Sequence, residues 1–314
     1  MPRKNVVKGL VQRARRRLWI FLVLERMGMH NPPINLLSQL RPVLASHPTD
    51  ENLIKATRLY LQGLNKKTIE EFRRYSKGRE GPIVMITGCR KYYKKLTKSA
   101  KILRQQEEGL TVLGIIGTTF GTDWKIKFDK LNGILELPCQ DGYEALPEKI
   151  IWGCLAVELC IKGASILKVD DDTKSIEADN IRQLKRKVIA EGNKAAGSPI
   201  SIKMPLQIDR GWHLGKSSGP KNWQPYEGLG PKIWMSGGAG YLLTSEAVET
   251  AGNFALHSWN FVESQIYEDL LISWIVQSCC GKISWIEDFK TTGIRNERSE
   301  DIISGSRYHR KHDL

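Results

Sequence analysis

The sequence lacks an apolar run long enough to cross a membrane. The run near its start, residues 18–24 ("LWIFLVL"), has seven residues, whereas a transmembrane helix needs about 20. No small-residue cleavage site follows it, which argues against a signal peptide. We therefore expect a protein of the cytoplasm, either free or peripheral on the cytoplasmic face of the membrane.

Cysteine is scarce, and no metal-binding pattern connects the six that occur. They stand at positions 89, 139, 154, 160, 279 and 280, without a CxxC pair, and four of them lie in apolar segments. This distribution favours reduced thiols over a disulfide framework.

Common signatures of nucleotide binding and hydrolysis are also missing. Neither GxGxxG nor GxxxxGK[ST] occurs, so the dinucleotide-binding fingerprint and the P-loop are absent. No Ser-His-Asp or Cys-His order stands out. The C-terminal stretch "SRYHRKHDL" offers His309 and His312, which on their own indicate a solvated basic tail.

Positive charge, in contrast, is abundant. The chain carries 48 Lys and Arg against 34 Asp and Glu, a net charge of +14. This excess indicates an anionic partner: nucleic acid, a phosphorylated small molecule or an acidic membrane surface. Residues 1–26 fit a basic amphipathic helix, which could lie on anionic lipid or pack on the domain. Both interpretations stay open.

The chain divides into two regions by pattern. Residues 1–80 predict a helical N-terminal extension, and "SKGREGP" (76–82) resembles a junction. In residues 81–314, short apolar strands alternate with amphipathic helices. This alternation predicts an α/β domain with a mostly parallel, Rossmann-like sheet flanked by helices. Ligands of such sheets bind at the carboxyl ends of the strands.

Three adjacent acids, Asp170, Asp171 and Asp172, follow the apolar strand "ASILKV". Adjacent carboxylates repel one another unless a cation neutralises them, and Mg²⁺ or Mn²⁺ prefer such oxygen ligands. The pattern favours a metal site over an exposed acidic turn. The phosphatase motif DxDx[TV] fits less well, because Lys174 holds the position that needs Thr or Val.

Two further segments carry candidate site residues. In "YEDLLISW", Glu268 and Asp269 open a helix, either as ordinary helix-start residues or with one as a general base kept ionised by the helix dipole. In "WMSGGAGY", glycines before an apolar strand allow the backbone to approach a ligand closely. We predict a donor or acceptor pocket at Trp234, Gly237, Gly238 and Glu268.

These segments, together with "LELPCQDGYEALPEKIIWGCLAVELC", occur in the order and approximate spacing found in the β-1,3-galactosyltransferase family, which includes β-1,3-N-acetylglucosaminyltransferases and Fringe enzymes. The resemblance covers about residues 82–314. It implies a GT-A fold and inverting transfer from a UDP-sugar to a glycan hydroxyl. Each motif is weak alone, but their order is specific.

The resemblance also implies roles for individual residues. Asp170 and Asp172 match the metal-binding DxD motif, with His309 as the late histidine that completes a Mn²⁺ (or Mg²⁺) site, and Asp269 matches the catalytic base. The implied nucleotide-sugar site is formed by Thr87, Gly88, Lys149, Asp170 and Asp171.

The chain departs from the family in several places. The R-x-T-W signature after the first strand is not recognisable, and "KIWMSGG" replaces the usual aromatic-Pro-x-Tyr-Cys approach. Donor and acceptor therefore stay open, and by analogy we expect a lipid-linked or surface-polysaccharide glycan as acceptor. Two alternatives are a basic nucleic-acid-binding protein and a Mg²⁺-dependent phosphatase or nucleotidyltransferase using the same aspartates. The first predicts stacking aromatics among basic residues, and only "RKYYKK" has that pattern, so we expect no nucleic acid.

Overall fold

The computed structural model describes residues 43–79, 81–107, 109–118, 124–201, 233–287 and 289–296. The basic segment 1–26 and both tail histidines, His309 and His312, lie outside these residues. The predictions made for them therefore stay predictions.

Helices and strands alternate along the described chain, as the sequence predicts. The helices with both ends described are α1 (Glu51–Leu64), α2 (Lys66–Ser76), α3 (Tyr93–Gln106), α4 (Leu146–Cys160), α5 (Ala178–Ala190), α6 (Ser245–His257), α7 (Trp259–Ser264) and α8 (Glu268–Ile275). The strands are β1 (Ile83–Thr87), β2 (Val112–Gly117), β3 (Lys127–Asp129), β4 (Ile134–Leu137), β5 (Ile166–Asp170), β6 (Thr173–Ser175), β7 (Ala195–Gly197), β8 (Pro199–Ser201), β9 (Ile233–Met235), β10 (Tyr241–Leu243), β11 (Ile283–Trp285) and β12 (Arg295–Asn296).

Eight strands form one mixed, mostly parallel sheet in the order β11-β7-β10-β5-β1-β2-β4-β3. Strands β5, β1, β2 and β4 run parallel, and β11 runs parallel to β7. Strand β10 is antiparallel to both of its neighbours, and the edge strand β3 is antiparallel to β4. The predicted α/β class with a mostly parallel sheet is confirmed.

Two apolar layers cover the two faces of this sheet. One layer joins the sheet to α1, α2, α4, α6 and α8, and the other joins it to α3 and α5. Helix α4 is buried along almost its whole length, because it lies between the sheet and further helices. Leu53 and Phe72 show that the N-terminal helices α1 and α2 share the first layer.

The direction of chain progression reverses at β1. From β1 the chain moves outward through β2 to β4, whereas β5 lies on the opposite side of β1. Such a reversal opens a crevice at the carboxyl ends of the two strands. The register pairs Thr87, the last residue of β1, with Asp170, the last residue of β5. The fold thus brings two predicted site residues together.

One predicted core position is wrong. The spacing of Tyr92, Leu96, Ala100 and Leu103 predicts that all four lie on the buried face of the helix after "IVMIT", but Tyr92 is 52% exposed. The reason is that α3 begins at Tyr93, after a 3₁₀ turn (Arg90–Tyr92), so Tyr92 precedes the helical face that holds Leu96 and Ala100.

No helix in the described residues is long and apolar enough to span a membrane.

Candidate functional site

The candidate site begins where β1 and β5 end. The hydroxyl of Thr87 donates a hydrogen bond to Asp170 Oδ1 at 3.2 Å. The side chain of Asp170 is 37% exposed, so it reaches solvent at the edge of the sheet. The first predicted aspartate therefore lies where the topology opens a ligand crevice.

The centre of the site is a buried lysine, Lys168. Its ammonium group lies 2.7 Å from Asp170 Oδ1 and 2.7 Å from Glu268 Oε1, and it donates to the carbonyl oxygen of Gly237 at 3.0 Å. The two carboxylates raise the pKa of Lys168 against the opposing effect of burial, so its charge is retained. Lys168 thereby links the strand-end aspartate, the glycine turn and the start of α8.

Glu268 is fixed from two sides. Its Oε1 binds Lys168, and its Oε2 accepts a hydrogen bond of 2.7 Å from the hydroxyl of Tyr241 on β10. Burial, followed by the charge of Glu268, raises the pKa of Tyr241 well above its usual value, which keeps that hydroxyl protonated as a donor. Glu268 is almost fully buried and is a supporting residue rather than a group open to a ligand.

Asp269, the predicted base, lies beside Glu268 and is half-buried. Its Oδ2 accepts from the N–H of Gly237 at 2.9 Å, and its Oδ1 accepts from the N–H of Leu270 at 2.8 Å. Burial and the neighbouring charge of Glu268 raise the pKa of Asp269 to about 7. One of the two interpretations of this helix start is a base that the helix dipole keeps ionised. Burial and Glu268 outweigh that effect, and the group titrates near neutrality.

The glycine turn before β10 fits tightly against these acids. A Cβ added at Gly237 would lie 2.6 Å from Glu268 Oε1 and 3.1 Å from Asp269 Oδ2, so a side chain there would displace both carboxyl groups. Gly238, by contrast, has open space around the same position. Gly240 has a φ of +85°, a conformation that favours glycine. The predicted glycine pocket thus lies directly beside Glu268 and Asp269.

The other two aspartates of the cluster continue along the edge. Asp171 accepts from the ammonium of Lys95 at 2.9 Å, and its backbone carbonyl accepts from the hydroxyl of Ser99 at 2.8 Å. Both partners belong to α3, the basic helix after β1. Asp172 is half-buried. The edge therefore carries five carboxyl groups: Asp170, Asp171, Asp172, Glu268 and Asp269. Lys168 contacts Asp170 and Glu268, and Lys95 contacts Asp171.

Lys149 lies beneath the end of β1 rather than in solvent. Its ammonium group donates to the carbonyl oxygens of Gly88 at 2.9 Å and of Asp141 at 2.6 Å. The carboxylate of Asp141 in turn accepts hydrogen bonds from the backbone N–H groups of Gly117 at 2.8 Å and of Arg90 at 2.6 Å. The Asp141 and Lys149 side chains thus fix the turns after β1 and β2.

Tyr143 interacts electrostatically with the acidic groups, a role that the sequence pattern does not indicate. Burial, and then the charges of Asp170, Asp269 and Glu268, raise its pKa, which means that its hydroxyl shares their surroundings. It lies in the 3₁₀ turn before α4. Trp234, which is also predicted to line the pocket, is buried in a small apolar cluster with Ile266, Tyr267 and Leu270, around the start of α8.

A divalent cation fits the chemistry of the donor set, but the described residues hold no complete site. Within the described ranges, no three His, Cys, Asp or Glu side chains are placed to bind one metal ion. Asp170 and Asp172 lie at the edge, whereas the third predicted ligand, His309, is outside the described residues. Thr87 and Lys168 both bind Oδ1 of Asp170, and a cation would relieve the repulsion among the clustered acids of this edge.

Comparison with known proteins adds no assignment. Neither the protein-family models nor the curated proteins contain a match to this chain. Its function must therefore be argued from the site.

Proposed function

We propose that this chain is a metal-dependent, inverting glycosyltransferase of the GT-A type. It would move a hexose or N-acetylhexosamine from a UDP-sugar to a glycan hydroxyl, forming a β-1,3 linkage in a lipid-linked or surface polysaccharide on the cytoplasmic side of the membrane. The observation that supports this most is the single contact network that joins Asp170, at the strand end, through Lys168 to Glu268 and the adjoining Asp269.

The two ends of that network suit the two halves of the reaction. The strand-end aspartates lie at the crevice where α/β sheets bind nucleotides. Mn²⁺ or Mg²⁺ held by Asp170 and Asp172, with His309, would neutralise the charge of the departing UDP. Thr87, Gly88 and Asp171 border the same edge, and Lys149 would act there indirectly, by holding the Gly88 turn in place.

Asp269 suits the role of base for the acceptor hydroxyl. A pKa of about 7 allows the group to be ionised before the reaction and to take up a proton during it, which is the most effective range for general base catalysis. The N–H of Gly237 holds its Oδ2 in one orientation. Because one carboxylate acting on one face allows a single displacement, the configuration at the anomeric carbon would invert.

The rival functions make different demands on the same surface. A nucleic-acid-binding protein would present basic groups, yet the edge with the most unusual chemistry is acidic. A phosphatase or nucleotidyltransferase would use the aspartates with a metal but would need neither Asp269 nor a sugar donor. The site is compatible with the metal chemistry of a glycosyltransferase and of a phosphatase or nucleotidyltransferase, so the test must distinguish the first from the other two.

Product analysis with the Asp269→Asn variant makes this separation. UDP-sugars supplied with Mn²⁺ should give a glycosylated acceptor with wild-type protein. The variant should still bind UDP and Mn²⁺ but transfer no sugar. Transfer at the wild-type rate would remove Asp269 from the base role, and release of inorganic phosphate without transfer would favour the phosphatase.

A further inference from the structure

A second cleft opens at the opposite edge of the sheet from the acidic site. It lies at the amino ends of the strands, where it is lined by Ile83 at the start of β1, Thr111 directly before β2 and Ala164 two residues before β5. Helices α2, α4 and α5 contribute further lining residues, Lys185 being on α5. The cleft encloses about 450 Å³, enough for a ligand of several heavy atoms.

The lining of this cleft is strongly basic. Its charged side chains are Arg73, Arg79, Lys162 and Lys185, and its hydroxyl groups belong to Ser76 and Thr111. No carboxylate is among the described lining residues. Four cations around one concave surface repel one another and create a positive potential that an anion would relieve.

Arg79 carries the clearest sign of a missing ligand. Its guanidinium group lies over the ring of Tyr75, 4.7 Å from the centroid, which fixes its plane. Its Nη1 is buried and has no hydrogen-bond partner in the described part of the chain. A buried donor without an acceptor costs free energy, so, within the described residues, the folded chain leaves part of the hydrogen-bonding capacity of this cleft-lining guanidinium group unused.

Arg182, on α5, also has a guanidinium nitrogen that is unsatisfied within the described ranges. Its Nη1 binds Asp179 at 2.7 Å, but its Nε is buried and likewise has no partner among the described residues. A Cβ added at Gly81, which lines the cleft, would lie 3.7 Å from this Nε. Arg182 therefore packs near Gly81, although it is not among the described residues that line the cleft.

Only one of the basic side chains, Arg73, is shown to bind the C-terminus of α4 in the described part of the chain. Arg73 donates from Nε to the carbonyl oxygen of Cys160 at 2.7 Å, which satisfies the C-terminus of that helix as cations commonly do. Arg79 makes no such contact within the described ranges. The Tyr75 ring orients the Arg79 guanidinium group but offers no hydrogen-bond acceptor to its Nη1.

We propose that this cleft is a binding site for a phosphate group, held by Arg79 with help from Lys185. Arginine recognises phosphate by paired hydrogen bonds, and such charge-assisted bonds are stronger than neutral ones. The site is separate from the acidic edge and does not depend on the proposed transferase activity. The phosphate could belong to a free ion or to a lipid headgroup, because both present the same oxygens.

Calorimetric titration of the full chain with inorganic phosphate tests the site. EDTA is included so that metal-bound phosphate at the aspartates does not contribute. We expect saturable binding that becomes about tenfold weaker in Arg79→Gln and in Lys185→Gln, since each removes a charge-assisted bond. Lys67→Gln is the matched control, because Lys67 is 89% exposed and lies outside the cleft.

A second arm identifies the source of the phosphate. Sedimentation with phosphatidylcholine vesicles, with and without phosphatidic acid, uses the same variants, so any contribution of residues 1–26 is constant. Binding of either probe that depends on Arg79 and Lys185 supports the site, and the probe that binds identifies the source. Binding of neither probe, or equal binding by Arg79→Gln and Lys67→Gln, overturns it.

Discussion

The ammonium group of Lys168 lies 2.7 Å from Glu268 Oε1 and joins the end of β5 to the first turn of α8. Both side chains are almost fully buried. The same ammonium group binds Asp170, so one cation holds the strand-end aspartate and the residue next to the candidate base.

We expect Lys168→Met to lower the free energy of unfolding by about 3–5 kcal/mol, because it leaves a buried carboxylate without its cation. Urea unfolding measures the effect, with Lys67→Met as the exposed control. The double variant Lys168→Met, Glu268→Gln should recover part of the loss. Equal midpoints for Lys168→Met and the control would show that the contact does not stabilise the fold.

The transfer rate should depend on pH through Asp269. Its pKa is raised to about 7, so below that pH the base is mostly protonated and inactive. We expect kcat to fall about tenfold per pH unit below pH 7 and to level off above it. A rate profile at saturating donor and metal measures this. A flat profile across the same range would contradict the role of Asp269 as base.

Asp269→Asn should also make the protein more stable at alkaline pH. Because the folded state raises the pKa of Asp269 from 3.8 to about 7, the folded state binds a proton more tightly than the unfolded state. The wild type therefore loses stability as pH rises from about 4 to 7. Thermal unfolding should show a larger gain for the variant at about pH 8 than at about pH 5. The same gain at both values would mean that the Asp269 pKa is not raised.

Two neighbouring glycines provide a matched pair of substitutions. Gly237→Ala would place a Cβ 2.6 Å from Glu268 Oε1, whereas Gly238→Ala meets open space. We expect Gly237→Ala to cost about 1–3 kcal/mol of stability and Gly238→Ala to cost much less. Urea unfolding compares the two. A similar cost for both would show that the turn does not fit tightly against the acids.

The sequence predicts the parallel centre of the sheet well, because strands such as "IVMIT" are short apolar runs separated by amphipathic helices. It does not predict that β10 is antiparallel or that β3 forms the sheet edge. Both are three-residue strands, whose direction depends on pairing partners distant in the chain.

Within the site, the sequence motifs identify Asp170 and Asp269 as candidates. They do not predict that Lys168 joins Asp170 to Glu268, the neighbour of Asp269. Lys168 is a charged residue within an otherwise apolar strand. Because side chains alternate along a strand, it lies on the same face as Ile166 and Asp170, and this position indicates a partner for Asp170. Its partner Glu268 lies 100 residues later. Tyr143 and Asp141 belong to the quoted motif before α4, yet their places at the edge depend on how that turn folds.

Thermal unfolding with nucleotides tests whether a metal-bound UDP group occupies the aspartate edge. UDP with Mn²⁺ should raise the midpoint of the wild type, and about a hundredfold excess over Kd corresponds to roughly 2.7 kcal/mol. The rise should disappear with EDTA and in Asp172→Asn, but persist in Lys67→Gln. An unchanged midpoint for the wild type, or an equal rise in Asp172→Asn, would contradict the account.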